Sequence, residues 1–135
     1  MLGVVADRSA DWIRQARRDL DSPRAQLRDG YYEWACFISQ QAAEKALKAA
    51  LQTRGSEAWG HSLVALVQAL GGQTRVPEDL AEGCRLLDRY YVTARYPNGW
   101  PAGGPSDYIA QEDGTLAVGH SEAILRFCAG LVARP

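Results

Sequence analysis

The chain has 135 residues, 47% of them hydrophobic and 23% charged, and a formal net charge of −1 at pH 7. That length suits one domain with a core of its own, needing neither metal nor disulfide to hold it. A charge balance this close to neutral excludes a chain drawn as a whole to nucleic acid or to an anionic membrane, so any such contact would need a local patch.

Cys36, Cys84 and Cys128 are odd in number, far apart and set in apolar helical contexts, the pattern of buried reduced thiols. That favours a cytoplasmic protein. Near the start, the short apolar patch from Leu2 to Ala6 gives way to Asp7, well short of the roughly 7–15 apolar residues of a signal peptide. No segment approaches the ~18 apolar residues of a membrane span, and no membrane association is expected.

Helix 1 is expected to begin near Ser9 and Asp11, both good N-cap types, and to end at Gly30. Trp12, Ile13, Ala16, Leu20 and Leu27 recur at spacings of three and four and form one apolar stripe. Pro23 interrupts it, either kinking the helix or opening a second segment capped by Ser22. Arg14, Arg17, Arg18, Arg24 and Arg28 make a rough basic stripe, read as a solvated face or as a phosphate-facing surface.

Helix 2 runs from about Tyr31 to Arg54, without Gly or Pro. Ala35, Ala42, Ala43, Ala46, Ala49 and Ala50 leave room for close neighbours, while Ile38 and Leu47 supply bulk. Gln40, Gln41, Glu44, Lys45 and Lys48 are expected to cover the other sides, with Glu44 one turn before Lys48. A turn over Gly55 to Gly60 carries Trp59. Helix 3 follows His61-Ser62, with Leu63, Leu66, Val67 and Leu70 on one face, and stops at Gly71-Gly72.

Helix 4 opens at Val76-Pro77-Glu78-Asp79, with Pro and acids placed as a helix N-terminus favours. Leu80, Cys84, Leu87, Tyr91 and Ala94 repeat at four and three as far as Tyr96-Pro97. Residues 97–114, rich in Pro and Gly, read as a long loop, of a length that is usually functional or disordered. Helix 5 then spans roughly Leu116 to Ala133, with Leu116, Ile124, Phe127 and Leu131 inward. Without strand alternation or repeats, residues 1–135 read as a single all-α domain, an antiparallel up-and-down bundle of four to five helices.

For chemistry, the two histidines, His61 and His120, lack ligand types at ligand spacing, so neither a metal nor another cofactor is expected. His61 would cap or open helix 3, and His120 is in register with the apolar face of helix 5. No phosphate-binding Gly-rich loop followed by Lys-Ser/Thr is present, nor any hydrolase triad signature. The distinctive cluster is Arg85, Arg89, Tyr90, Tyr91, Arg95 and Tyr96, followed by Trp100 and Tyr108 in the loop. Arginines offer bidentate phosphate contacts and aromatic rings offer stacking faces for bases. The plainer alternative puts Tyr91 in the core and pairs the arginines with acids such as Asp88.

Several runs carry a family resemblance: Ala16-x-x-Asp19-Leu20, Gly30-Tyr31-x-x-x-Ala35, Phe37-x-x-Gln40-Gln41-Ala42-Ala43-Glu44-Lys45-Ala46-Leu47-Lys48-Ala49, His61-Ser62-Leu63 and Tyr91-x-x-x-Arg95-Tyr96-Pro97. Together they resemble the HEPN domain family (higher eukaryotes and prokaryotes nucleotide-binding) from about Asp11 to Phe127. The resemblance implies a helical bundle that commonly forms homodimers and often pairs with a small nucleotidyltransferase in toxin–antitoxin-like arrangements. It implies nucleotide or RNA binding, with Arg85, Arg89, Arg95, Tyr96 and His61 as the ligand-site candidates. Some relatives are metal-independent endoribonucleases with an Arg-x(4–6)-His motif. Here no His closely follows Arg89 or Arg95, and the formal match is Arg54-x6-His61. There His61 could act as general base and Arg54 could stabilise the phosphorane. A protein-docking module without ligand is the third reading.

Overall fold

The computed structural model describes residues 7–134, and among them it is helical throughout, with no strand. In chain order come α1 (Ser9–Asp29), α2 (Tyr32–Thr53), α3 (Leu63–Gly71), α4 (Glu78–Asp88), α5 (Tyr90–Thr93), a 3-10 turn (Pro97–Gly99), α6 (Pro105–Tyr108) and α7 (Gln111–Ala133). The five helices expected from sequence are all present, and the two additional ones are single turns.

α2 is the centre. Ala35, Ala42, Ala43, Ala46, Ala49 and Ala50 are fully buried, so backbones close in on it from several directions. α1 and α7 pack along its length, and α3 and α4 close the other side. Leu20, Leu47, Leu51, Leu63, Leu70, Leu87 and Ile124 fill the space between them, each stabilising the fold by ~1.5–3 kcal/mol relative to an exposed side chain. Between α1 and α2 the chain reverses at Gly30, whose φ of 85° is left-handed, and the Tyr31 N–H returns to the Gln26 carbonyl at 2.9 Å. Pro23 neither splits α1 nor ends it; the helix runs through and buries the ring.

Three boundaries and two faces differ from the sequence reading. The fourth helix divides at Arg89, whose N–H bonds the carbonyl of Leu86, three residues back, while the Thr93 hydroxyl donates to the Arg89 carbonyl. Residues 97–110 are folded rather than loose: Asp107 accepts the Gly104 N–H, Trp100 donates to the Thr93 carbonyl, and Trp100 and Tyr108 stack 4.4 Å apart. α7 starts at Gln111, five residues before Leu116, because Asp113 accepts the Ala110 N–H at 2.8 Å and caps it. Gly114, read as part of the loop, is a close-packing residue inside that helix; a Cβ there would meet Leu27 Cδ2 at 2.6 Å. Leu116 is 49% exposed instead of inward. Gln40 and Glu44, expected on the outside of helix 2, are buried.

By length and composition α7 could cross a membrane. In this fold Ala117, Val118, Ser121, Ile124, Leu125 and Cys128 are buried in the bundle.

Candidate functional site

One face of α2 carries Phe37, Gln40, Gln41, Glu44 and Lys48, three and four residues apart and therefore stacked turn above turn. The chain entering α3 lies across this face and is fastened to it. Gln40, fully buried, donates its amide to the His61 backbone carbonyl at 2.8 Å and accepts from the Gln41 amide at 2.8 Å. Asp88, the last residue of α4, accepts from the N–H groups of Leu63 at 2.9 Å and Val64 at 3.0 Å. It also accepts from the Ser62 hydroxyl at 3.3 Å, and Ser62 Oγ itself caps the Ala65 N–H at 3.1 Å. The N-terminus of α3 is thus closed by a carboxylate from another helix.

That clamp sets His61. Its Nδ1 lies 3.0 Å from Glu44 Oε1, and the second oxygen of Glu44 accepts from Lys48 Nζ at 3.1 Å. A carboxylate only accepts, so Nδ1 carries the proton of this contact. The imidazole stacks on Tyr91 at 4.9 Å and 19°. Its side chain is 56% exposed while that of Glu44 is 8% exposed, so an exposed imidazole is anchored on a buried carboxylate.

Arg95 reaches the same ring. Its guanidinium lies 4.4 Å from the Phe37 centroid, 4.8 Å from Tyr91 and 4.9 Å from Tyr96, and Nε donates to the Tyr91 carbonyl at 2.8 Å. Among the described residues no carboxylate pairs with it. The cation is held by aromatic faces and a carbonyl, with its terminal nitrogens left for an anion.

The structure therefore brings together His61, Arg95 and Tyr96 through Tyr91. Arg89 is exposed at the α4–α5 junction, and Arg85 is occupied by Glu78 at 2.9 Å. Arg54 ends α2, ten residues beyond the Glu44 that holds His61, or ~15 Å of helix. It shares no hydrogen bond with His61. Tyr90 packs half-buried against the core near Cys36, and burial pushes both groups up to about 12. That leaves Tyr90 no part in the exposed patch.

With this geometry in place the chain can be set beside known proteins. The HEPN domain family matches it over residues 9–131. The chain belongs to that family. Similar solved structures include TT1696 from Thermus thermophilus, with a TM-score of 0.89 and 40% identity over 93% of this chain and 99% of that one. ST0689, described as an archaeal HEPN homologue, gives 0.79 and 38% over 94% and 99%. A HEPN domain protein (TM0613) from Thermotoga maritima gives 0.77 and 35% over 93% and 99%. A search of the curated proteins gives no match.

In this HEPN domain the conspicuous Gln-Gln-Ala-Ala-Glu-Lys run is the floor of the candidate site. Sequence reasoning selected His61, Arg95 and Tyr96 but missed Gln40, Glu44 and Asp88, which hold His61 in place. The available signal was two polar residues, Gln40 and Glu44, one turn apart among small residues suited to burial.

Proposed function

We propose that this HEPN domain is a nucleotide- or RNA-binding module of the cytoplasm that works beside a small nucleotidyltransferase and self-associates as a homodimer. The supporting observation is Arg95, a guanidinium without a carboxylate partner set among Phe37, Tyr91 and Tyr96, next to the anchored and exposed His61. A phosphate fits the free guanidinium nitrogens, and a base can stack on half-exposed Tyr96. Arg89, exposed one and a half turns earlier, would extend the cationic edge. The family resemblance supports the nucleotidyltransferase and the second copy. Tyr31, Trp34 and Trp59 offer exposed aromatic surface for them.

Titration of labelled mononucleotides and short RNA against Arg95→Ala tests the ligand reading. Binding by the wild type that falls at least about tenfold in the variant supports it. Equal affinity in a folded variant removes this site. Co-expression with a neighbouring nucleotidyltransferase, followed by size-exclusion chromatography, tests the partner.

One observation favours a second reading, a metal-independent endoribonuclease. The buried Glu44 fixes the His61 tautomer as an orienting acid fixes a general base. Cleavage of RNA in chelator, abolished in His61→Ala, would establish it. Arg54→Ala and Arg95→Ala in the same assay would show which arginine faces the phosphate.

A further inference from the structure

The residues beyond His61 form a second feature that the proposed site does not use. Lys48, bonded to Glu44, lies over the Trp12 ring at 6.0 Å. Trp12 in turn lines a cleft of about 370 Å³ between α1 and α2, together with Arg8, Asp11, Arg14, Gln15 and Lys45. Contacts run without a gap from Arg95 to Tyr91, His61, Glu44, Lys48 and Trp12. Along α2 this path runs from Phe37 to Lys48, or ~16 Å. A mononucleotide at Arg95 cannot fill it.

The chemistry of the cleft is that of a nucleotide subsite. Its volume is at the small end of the ~300–1,000 Å³ of ligand sites, enough for one residue of a chain. Every carboxylate there is already bonded to a cation: Asp11 to Arg8 and Arg14, Asp19 to Lys45, Glu44 to Lys48. Each is thereby offset by a neighbouring cation. Arg8 spends Nε and Arg14 one terminal nitrogen on Asp11, so the remaining guanidinium nitrogens of both have no partner among the described residues. Both side chains are well exposed, Arg14 at 78%. Half-buried Trp12 supplies a fixed aromatic face beside them.

We propose that the ligand site continues past His61 into the α1–α2 cleft, where Trp12 stacks a base and Arg14 and Arg8 hold the phosphate of a further nucleotide in a single-stranded polynucleotide. This rests on the nucleotide- or RNA-binding reading above and defines the ligand as a strand several residues long. Binding is led by stacking, because cations in the cleft barely outnumber carboxylates. Two phosphates, one at Arg95 and one shared by Arg14 and Arg8, give a log–log salt slope of about −1.4 for a single strand.

The experiment is fluorescence anisotropy with labelled uridine mononucleotide, a six-residue single-stranded RNA, the matching single-stranded DNA and an RNA duplex. The proteins are wild type, Arg14→Ala, Trp12→Leu and Arg95→Ala, each checked for folding by circular dichroism. Arg14 is exposed, so its variant stays folded even if Trp12→Leu does not. The expected result is that the wild type binds the hexamer at least tenfold tighter than the mononucleotide. Arg14→Ala and Trp12→Leu should each weaken the hexamer about tenfold and leave the mononucleotide unchanged, whereas Arg95→Ala weakens both. Binding of RNA and DNA strands alike supports a generic single-strand site, and preference for RNA supports one that also reads the 2′-hydroxyl. A hexamer bound no tighter than the mononucleotide, a duplex preferred over single strands, or unchanged hexamer binding in Arg14→Ala overturns the extended site while leaving the Arg95 site standing. Failure of the wild type to bind any of the probes overturns both.

Discussion

Asp88→Ala should destabilise the fold although the residue lies outside the apolar core. Its carboxylate is the acceptor for two backbone N–H groups of α3, at 2.9 and 3.0 Å, and for the Ser62 hydroxyl. Loss of a side-chain cap costs ~0.5–2 kcal/mol, and loss of a negative charge at a helix N-terminus removes a further ~0.3–1 kcal/mol. Leu63 is fully buried, so its N–H has little water to turn to and the upper half of the range applies. A total near 2–3 kcal/mol corresponds to a Tm lowered by roughly 8–12 °C for a chain of this size. Thermal denaturation followed by circular dichroism measures it, with Asp88→Asn as the intermediate case because one acceptor oxygen remains. A Tm within about 2 °C of wild type for Asp88→Ala would refute the reasoning, since it would mean that the Ser62 cap alone satisfies α3.

Further outcomes follow from the packing and the titrating groups. Leu47→Ala, at the centre of α2, should cost ~2–5 kcal/mol in urea unfolding, against well under 1 kcal/mol for the exposed Leu116→Ala. Gly114→Val should destabilise by ~1–3 kcal/mol, because the added methyls push into Leu27 and Ala35; stability equal to wild type would show that α1 and α7 have room to separate. Burial pushes the Cys36 and Cys84 thiols up to about 12 and raises Cys128 as well. The unfolded chain releases these protons near pH 8.5 while the folded chain holds them, so the unfolded state binds fewer protons and stability falls as pH rises from about 9 toward 12. The slope is ~1.4 kcal/mol per pH unit for each thiol. Urea midpoints that stay flat to pH 11 would contradict that burial.

The sequence by itself determined the helices, because the signals involved are local. Apolar spacing of three and four, Gly30 and Gly71-Gly72 as stops, and Pro77 as a start each act within a few residues of chain, and all five expected helices are present, the fourth divided at Arg89 and the fifth begun five residues early. The alanines of α2 likewise announced close packing, side-chain chemistry singled out the cluster that holds Arg95 and Tyr96, and the family resemblance added His61. Tertiary structure decided the rest. Gln40 and Glu44 read as surface residues until α3 and α4 supply partners for them, since a buried polar group is stable only where another element completes its hydrogen bonds. Gly114 reads as a loop residue until Leu27 and Ala35 pack against it, and Asp88 reads as an acid for the nearby arginines until the N-terminus of α3 rests on it. Arg54 and His61 match a motif by spacing, yet a helix rise of ~15 Å carries one away from the residue that anchors the other. Arg95, with its ring partners on two different helices, is what the fold sets beside His61. Sequence separation measures distance along the chain, and a binding site depends on distance through space.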